Sequence, residues 1–105
     1  MDAVTELLNK YKDNRIILWG AGLIGTKVLE ALDCLRLKVD AVVDIDKNKQ
    51  GKKLFGYSVQ NYGDVKKDGD VILVCGAKIY DDVIKEVGEG GTCVNVFEIV
   101  ENRWI

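Results

Sequence analysis

The chain has 105 residues, of which 48% are hydrophobic and 30% are charged, and its formal net charge is −2. This length accommodates one domain, since single domains usually have about 100 to 150 residues. The sequence contains no histidine, which excludes Ser-His-Asp and Cys-His triads, HExxH metal sites and imidazole acid–base relays. Because nucleic-acid-binding domains are typically basic, the net negative charge predicts no nucleic-acid partner.

The apolar segments and the cysteines indicate a cytoplasmic protein that does not insert into a membrane. The longest apolar runs, such as 71–75, are far shorter than the roughly 20 residues that span a bilayer. Residues 1–6 contain two acids and lack the basic region of a signal peptide. Cys34, Cys75 and Cys93 form no CxxC pair, and we interpret the last two as buried thiols within apolar runs.

The hydrophobic pattern predicts helices that alternate with strands. Apolar residues at three- and four-residue spacing indicate helices, and short continuous apolar runs indicate buried parallel strands. The predicted elements are a helix at 2–12, a strand at 15–19, a helix at 23–35, a strand at 39–43, a polar loop from 45, an edge strand at 57–59, a strand at 71–75, a helix at 79–87 and a strand at 93–97. This alternation predicts one α/β domain over residues 1–105, a three-layer Rossmann-like parallel sheet with strand order 3-2-1-4-5. The N-terminal helix would pack on that sheet.

A glycine-rich turn follows the first predicted strand. Trp19-Gly20-Ala21-Gly22-Leu23-Ile24-Gly25 contains the pattern GxGxxG between a strand and a helix, which is the context that this motif requires. Gly20 would permit the tight turn, Gly22 would let a phosphate approach the backbone, and Gly25 would let the helix pack close to the strand. The predicted anion site comprises Gly20, Ala21, Gly22, Leu23, Ile24 and Gly25. The same pattern also fits a tight turn that binds nothing.

Asp44 is the second candidate binding residue. It lies 19 residues after Gly25, at the end of the second predicted strand, where an acid in this type of fold accepts hydrogen bonds from a ribose hydroxyl. The alternative is an acid in a solvated turn. With a dinucleotide, the carboxylate would favour NAD over NADP, because it repels a 2′-phosphate. Lys47 and Lys49 would soften that repulsion.

A second loop is predicted to meet the glycine turn where the strand order reverses, which is where ligands bind in open α/β sheets. Gly76 and Ala77 are small enough to let a ligand lie against the backbone. Lys78 either reaches a phosphate or carboxylate of the ligand or is a solvated lysine. Tyr80 either stacks on a ring or has a structural role.

The remaining motifs provide no catalytic residue and no metal ligand. Tyr62 and Lys66 fit the YxxxK spacing of short-chain dehydrogenases, but that pair works on a long helix, and this stretch is rich in turn residues. The polar loop contains a basic patch that either is solvated or folds over an anionic ligand. Its members are Lys47, Lys49, Lys52 and Lys53.

Three segments, 16–25, 42–46 and 51–59, resemble the small Rossmann-like modules of bacterial surface-polysaccharide enzymes. These modules include the N-terminal domains of PglD-type nucleotide-sugar acetyltransferases and the nucleotide-binding domains of nucleotide-sugar dehydratases. The resemblance covers about residues 14–97 and implies binding of NAD or a nucleotide-sugar. The positions that match the binding residues of these modules are Gly20, Gly22, Gly25 and Asp44.

The sequence therefore predicts a nucleotide-binding module that holds NAD or a nucleotide-sugar. We expect it to be part of a surface-polysaccharide enzyme or to act beside one, with a separate domain or subunit that carries out catalysis. One alternative is a small stand-alone oxidoreductase or sugar-modifying enzyme, which the absence of histidine disfavours. Another is a structural or regulatory dimerisation domain. A homodimer interface would comprise the helix at 2–12 and the apolar residues Phe97, Ile99, Val100, Trp104 and Ile105.

Overall fold

The structure is a computed structural model that describes residues 3–76 and 78–96. Within these residues, helices and strands follow one another along the chain. They are α1 (Ala3–Lys10), β1 (Ile16–Trp19), α2 (Leu23–Cys34), β2 (Ala41–Val43), β3 (Lys53–Leu54), β4 (Tyr57–Gln60), α3 (Tyr62–Val65), β5 (Asp70–Val74), α4 (Tyr80–Val87) and β6 (Gly91–Asn95), with a 3-10 turn at Gly88–Gly90.

The strands form one mixed α/β sheet that is mostly parallel. Its order is β3-β4-β2-β1-β5-β6. All neighbouring pairs are parallel except β3 and β4, which are antiparallel. The carboxyl ends of the five parallel strands therefore lie at the same edge of the sheet, and the loops that follow them are neighbours.

Helices cover both faces of the sheet because side chains alternate between the faces along each strand. Ile16 and Leu18 of β1 belong to a core cluster with residues of α1 and α2. Ile17 and Trp19 belong to a second cluster with residues of α3 and α4. All four residues of β1 are buried, which explains why this strand has a continuous apolar sequence.

Two elements were missing from the sequence prediction, and one strand was misplaced. The predicted order 3-2-1-4-5 counted five strands. The sixth, β3, pairs with β4 through a two-residue turn, so the order in structural numbering is 3-4-2-1-5-6. The second missing element is the four-residue helix α3. The last strand is Gly91–Asn95 instead of 93–97.

The predicted dimer surface falls largely outside the described residues, because its apolar members lie within 97–105. Helix α1 is described from Ala3, and it buries Leu7 and Leu8 in the first core cluster of its own domain. No helix within 3–76 or 78–96 is long and apolar enough to cross a membrane.

A buried ion pair connects the amino ends of β1 and β5. Asp70 is 1% exposed, and its two carboxylate oxygens accept hydrogen bonds from Nη1 of Arg15 at 3.1 and 2.9 Å. The backbone N–H of Lys67 donates to the same carboxylate at 2.9 Å. This pair is at the edge of the sheet opposite the glycine turn, so it stabilises the fold away from the candidate site.

The cysteines provide a test of the core. Burial raises the pKa of the Cys75 thiol to about 12, whereas Cys34 is exposed. At a pH of about 8, near the ordinary thiol pKa, iodoacetamide is expected to alkylate Cys34 and to leave Cys75 unmodified, because the thiolate is the reactive form. Mass spectrometry of the folded protein measures this difference, and modification of Cys75 in urea is the control. Rapid alkylation of Cys75 in the folded state would show that this part of the core is open.

Candidate functional site

The glycine turn connects β1 to α2 at the carboxyl edge of the sheet. Gly20 has a φ of +113°, which residues other than glycine rarely adopt. Its N–H donates to the carbonyl oxygen of Val43 at 2.9 Å. A Cβ at Gly20 would lie 3.2 Å from the carbonyl oxygen of Cys75. The turn therefore passes closely between the ends of β2 and β5.

Gly25 has a packing role. It is buried in the first turn of α2, and a Cβ there would overlap the carbonyl oxygen of Gly20 and lie 2.9 Å from its carbonyl carbon. The missing side chain allows α2 to sit directly on the turn that precedes it. Packing alone therefore requires glycine at this position.

Gly22 differs from these two glycines. It is the N-cap residue of α2, with extended backbone angles and no side-chain cap. The nearest described atom to a Cβ at Gly22 would be Nζ of Lys49, at 3.6 Å. Neither the φ of −88° nor contact with the rest of the domain requires glycine here. The first N–H groups of α2, which follow Gly22 in the chain, lack partners within the helix.

Asp44 holds the glycine turn and the following loop together. The residue is 9% exposed. Its Oδ2 accepts a hydrogen bond from the N–H of Ala21 at 2.8 Å, and its Oδ1 accepts one from the N–H of Asp46 at 2.9 Å. Asp44 is thus a buried structural acceptor, not an acid in a solvated turn. Each oxygen retains a second lone pair for a ligand hydroxyl.

The loop after β2 brings one lysine of the basic patch to the turn. Oδ1 of Asp46 accepts the N–H of Asn48 at 2.9 Å, and its carbonyl accepts the N–H of Lys49 at 2.9 Å. This local folding places Nζ of Lys49 3.9 Å from Oδ2 of Asp44. The other lysines of the patch are exposed; they are Lys47, Lys52 and Lys53.

Apolar side chains border the turn on its solvent side. Leu23, which directly follows Gly22, and Ile45, which directly follows Asp44, are among the most exposed large hydrophobic residues of the described chain. The site thus combines a helix start, a carboxylate, an ammonium group and exposed apolar side chains. This combination suits a ligand with an anionic part, a hydroxyl and an apolar ring.

The loop after β5 begins at Cys75, and this first residue brings the loop next to the glycine turn. The N–H of Cys75 donates to the carbonyl of Trp19 at 2.8 Å, which continues the pairing of β5 with β1. A Cβ at Gly76 would lie 2.7 Å from Cγ1 of Ile79, so packing explains that glycine. Lys78 is exposed, and Ala77 is outside the described residues.

Two tyrosines have structural roles. The hydroxyl of Tyr80 donates to the carbonyl of Cys93 at 3.2 Å, so this ring is fixed against β6. Tyr62 is buried, with its ring centre 4.8 Å from that of Trp19. Burial raises the pKa of Tyr62, which is opposite to what a proton-transferring tyrosine needs. The structure therefore provides no support for a dehydrogenase pair at Tyr62 and Lys66.

Sequence reasoning missed three features of this edge. It did not single out Ile45, and it named Lys49 only together with Lys47 or with all four lysines of the loop. The third feature is Asn95, at the end of β6, whose Oδ1 is buried without a hydrogen-bond partner in the described structure. The described residues contain no group of three or more side chains that could hold a metal ion.

Comparison with models of known protein families finds a match over most of the described chain. The family model of C2185-like N-terminal domains matches residues 12–95. The match extends from just before β1 to the end of β6 and contains the glycine turn, Asp44 and Lys49. A search of curated proteins finds no match.

Proposed function

We propose that this chain, which belongs to the family of C2185-like N-terminal domains, is a nucleotide-binding module that holds NAD or a nucleotide-sugar at the glycine turn. The observation that carries this proposal is Gly22. Gly20 and Gly25 are explained by backbone conformation and packing, whereas nothing in the described domain requires glycine at position 22.

The N-cap position strengthens this argument. Asp, Asn and Ser are better helix N-caps than glycine, by roughly a few tenths of a kcal/mol, because their side chains accept a backbone N–H of the first turn. Helix α2 has glycine there and no side-chain cap. A phosphate oxygen bound at this place would accept the same N–H groups, and the positive end of the helix dipole would attract its charge.

The neighbouring side chains match the other parts of a nucleotide. Asp44 has lone pairs available beyond its two backbone bonds, and a ribose hydroxyl is a suitable donor. The exposed side chains of Leu23 and Ile45 offer apolar contact for a base. The carboxylate favours NAD over NADP, although Lys49 lies close enough to reduce that preference.

The topology is consistent with a Rossmann-like module. The parallel strands lie in the order β4-β2-β1-β5-β6, and the chain leaves β1 in one direction and β5 in the other. In doubly wound folds, ligands bind at the carboxyl edge where the direction reverses. The resemblance to modules of surface-polysaccharide enzymes leads us to propose a cytoplasmic role beside a catalytic domain or subunit. Self-association of the chain is a separate property, which sedimentation would measure.

Gly22→Asp separates ligand binding from stability. Aspartate is a favourable N-cap, so we expect the free energy of unfolding to stay the same or to rise by about 0.5 to 1 kcal/mol. Its charge would occupy the phosphate position, and we expect binding to weaken about 100-fold or more because like charges repel. Urea denaturation measures the first effect, and calorimetry with NAD, NADP, UDP and UDP-glucose measures the second.

Asn48→Asp is the matched control for this experiment. It adds the same charge at an exposed position of the loop after β2 and should change affinity by no more than about threefold, because exposed charges are screened. If the unmodified protein binds none of the four ligands below millimolar concentration, the proposed function is wrong. Equal affinity of Gly22→Asp and the unmodified protein would place the ligand elsewhere.

A further inference from the structure

Lys49 has an unusual position for a lysine on a loop. Its side chain is 41% exposed, yet its ammonium group lies at the amino end of α2. Nζ is 3.9 Å from Oδ2 of Asp44 and 3.6 Å from the position that a Cβ of Gly22 would occupy. The ammonium therefore lies beside Gly22, where α2 and its first N–H groups begin.

The helix dipole makes this position unfavourable for a cation, and the carboxylate of Asp44 compensates only in part. A cation at the positive end of a helix dipole is repelled. The attraction to Asp44 is weak, because 3.9 Å exceeds hydrogen-bond length and the pair is partly open to water. An anion between Lys49 and the helix start would be attracted from both sides. Lys49 can therefore move away from Asp44 at a small cost in free energy.

We propose that Lys49 selects ligands that carry a diphosphate, by exchanging its partner from Asp44 to the phosphate when the ligand binds. This inference rests on the proposed function, because it concerns the same site. The exchange leaves Oδ2 of Asp44 with the Ala21 N–H and a free lone pair. A ribose hydroxyl can then donate to that lone pair. A nucleoside without phosphate would have to compete with Lys49 for Asp44.

The test compares Lys49→Met with Lys47→Met, which removes the same charge from an exposed position of the same loop. Calorimetry at constant ionic strength would use NAD, UDP-glucose, inorganic pyrophosphate and the nucleosides adenosine and uridine. We expect Lys49→Met to bind the three diphosphates about 10- to 100-fold more weakly, the range for a hydrogen bond to a charged group. Lys47→Met should stay within about threefold, because exposed charges are screened.

Two further readouts distinguish direct phosphate pairing from a structural effect. The affinity of Lys49→Met for the diphosphates should depend less on salt concentration than that of the unmodified protein, because one ion pair with the ligand is lost. Lys49→Arg should restore most of the affinity, since guanidinium also pairs with phosphate. Nucleoside affinity should not fall in Lys49→Met, and circular dichroism would check that the variant is folded.

The outcomes separate this inference from the proposed function. If the unmodified protein binds the diphosphates and Lys49→Met binds them equally well, the role of Lys49 is wrong and the binding site stands. The same conclusion follows if Lys49→Met loses nucleoside and diphosphate affinity alike. If the unmodified protein binds none of the probes, both the inference and the proposed function are wrong.

Discussion

Replacement of Gly25 by alanine is expected to lower the free energy of unfolding by about 3 kcal/mol or more, the upper part of the range for overpacked cores. The added methyl group would overlap the carbonyl oxygen of Gly20. Both groups belong to the backbone, so rotation of a side chain cannot relieve the contact. Helix α2 would have to move away from the turn and from β1, which is buried on both faces.

Thermal unfolding followed by circular dichroism measures this effect. For a domain of this size we expect the Tm to fall by about 12 °C or more, since each kcal/mol corresponds to roughly 4 to 8 °C. Gly22→Ala is the matched control, because its methyl group would meet no described atom closer than 3.6 Å. The N-cap preference limits its cost to about 1 kcal/mol. Equal Tm values for the two variants would contradict the packing role of Gly25.

Replacement of Arg15 by methionine is expected to destabilise the domain by about 3 kcal/mol, because removal of one partner leaves a buried charge uncompensated. Asp70 is 1% exposed and would keep only the N–H of Lys67 among the hydrogen bonds described above. Arg15 itself is 26% exposed, so water partly replaces it and the cost stays at the lower end for buried pairs. Urea denaturation at neutral pH measures the loss.

A double variant tests whether the charge of Asp70 causes this loss. Asp70→Asn removes the negative charge and keeps an oxygen that can accept the N–H of Lys67. Arg15→Met combined with Asp70→Asn should therefore be more stable than Arg15→Met alone, since the unpaired charge is gone. If the free energy of unfolding lost in the double variant equals the sum of the losses in the two single variants, the ion pair contributes nothing to stability. Ligand binding should be unchanged in Arg15→Met, because the pair lies at the opposite edge of the sheet.

The central strands were predictable because burial on both faces leaves a clear sequence pattern. The five residues of β5 are all buried, and such runs between polar or glycine residues indicate parallel strands. The strand β3 was not predictable in this way, because two residues have no detectable period. Its turn contains Phe55 and Gly56 with φ of 50° and 85°. Both positive angles suit a tight hairpin turn. The sequence signal of such a turn is Asn-Gly or Asp-Gly, and here phenylalanine takes the first of these two positions.

The candidate site was predictable to a similar degree. The glycine pattern and its separation from Asp44 indicated that these residues belong to one site, and the structure places Oδ2 of Asp44 2.8 Å from the N–H of Ala21. The local turn at Asp46 orients Lys49, but the place of that turn against the sheet was not predictable, because contacts outside the turn hold it there. The side-chain amide of Gln50 donates to the carbonyl oxygen of Asp44 at 2.8 Å. The backbone N–H of Gly51 donates to the carbonyl oxygen of Val59 at 2.7 Å. No local sequence pattern encodes such contacts.

The position of β1 between β2 and β5 also has a consequence for folding. β1 pairs with β5 through Ile16 and Val71, which are 55 residues apart in sequence. The central strand therefore gains its second neighbour only after the residues of β5 have been synthesised. Loop closure over such a distance is slow compared with helix formation. Until then, β1 has one unpaired edge, and α1 and α2 can cover only the face that carries Ile16 and Leu18.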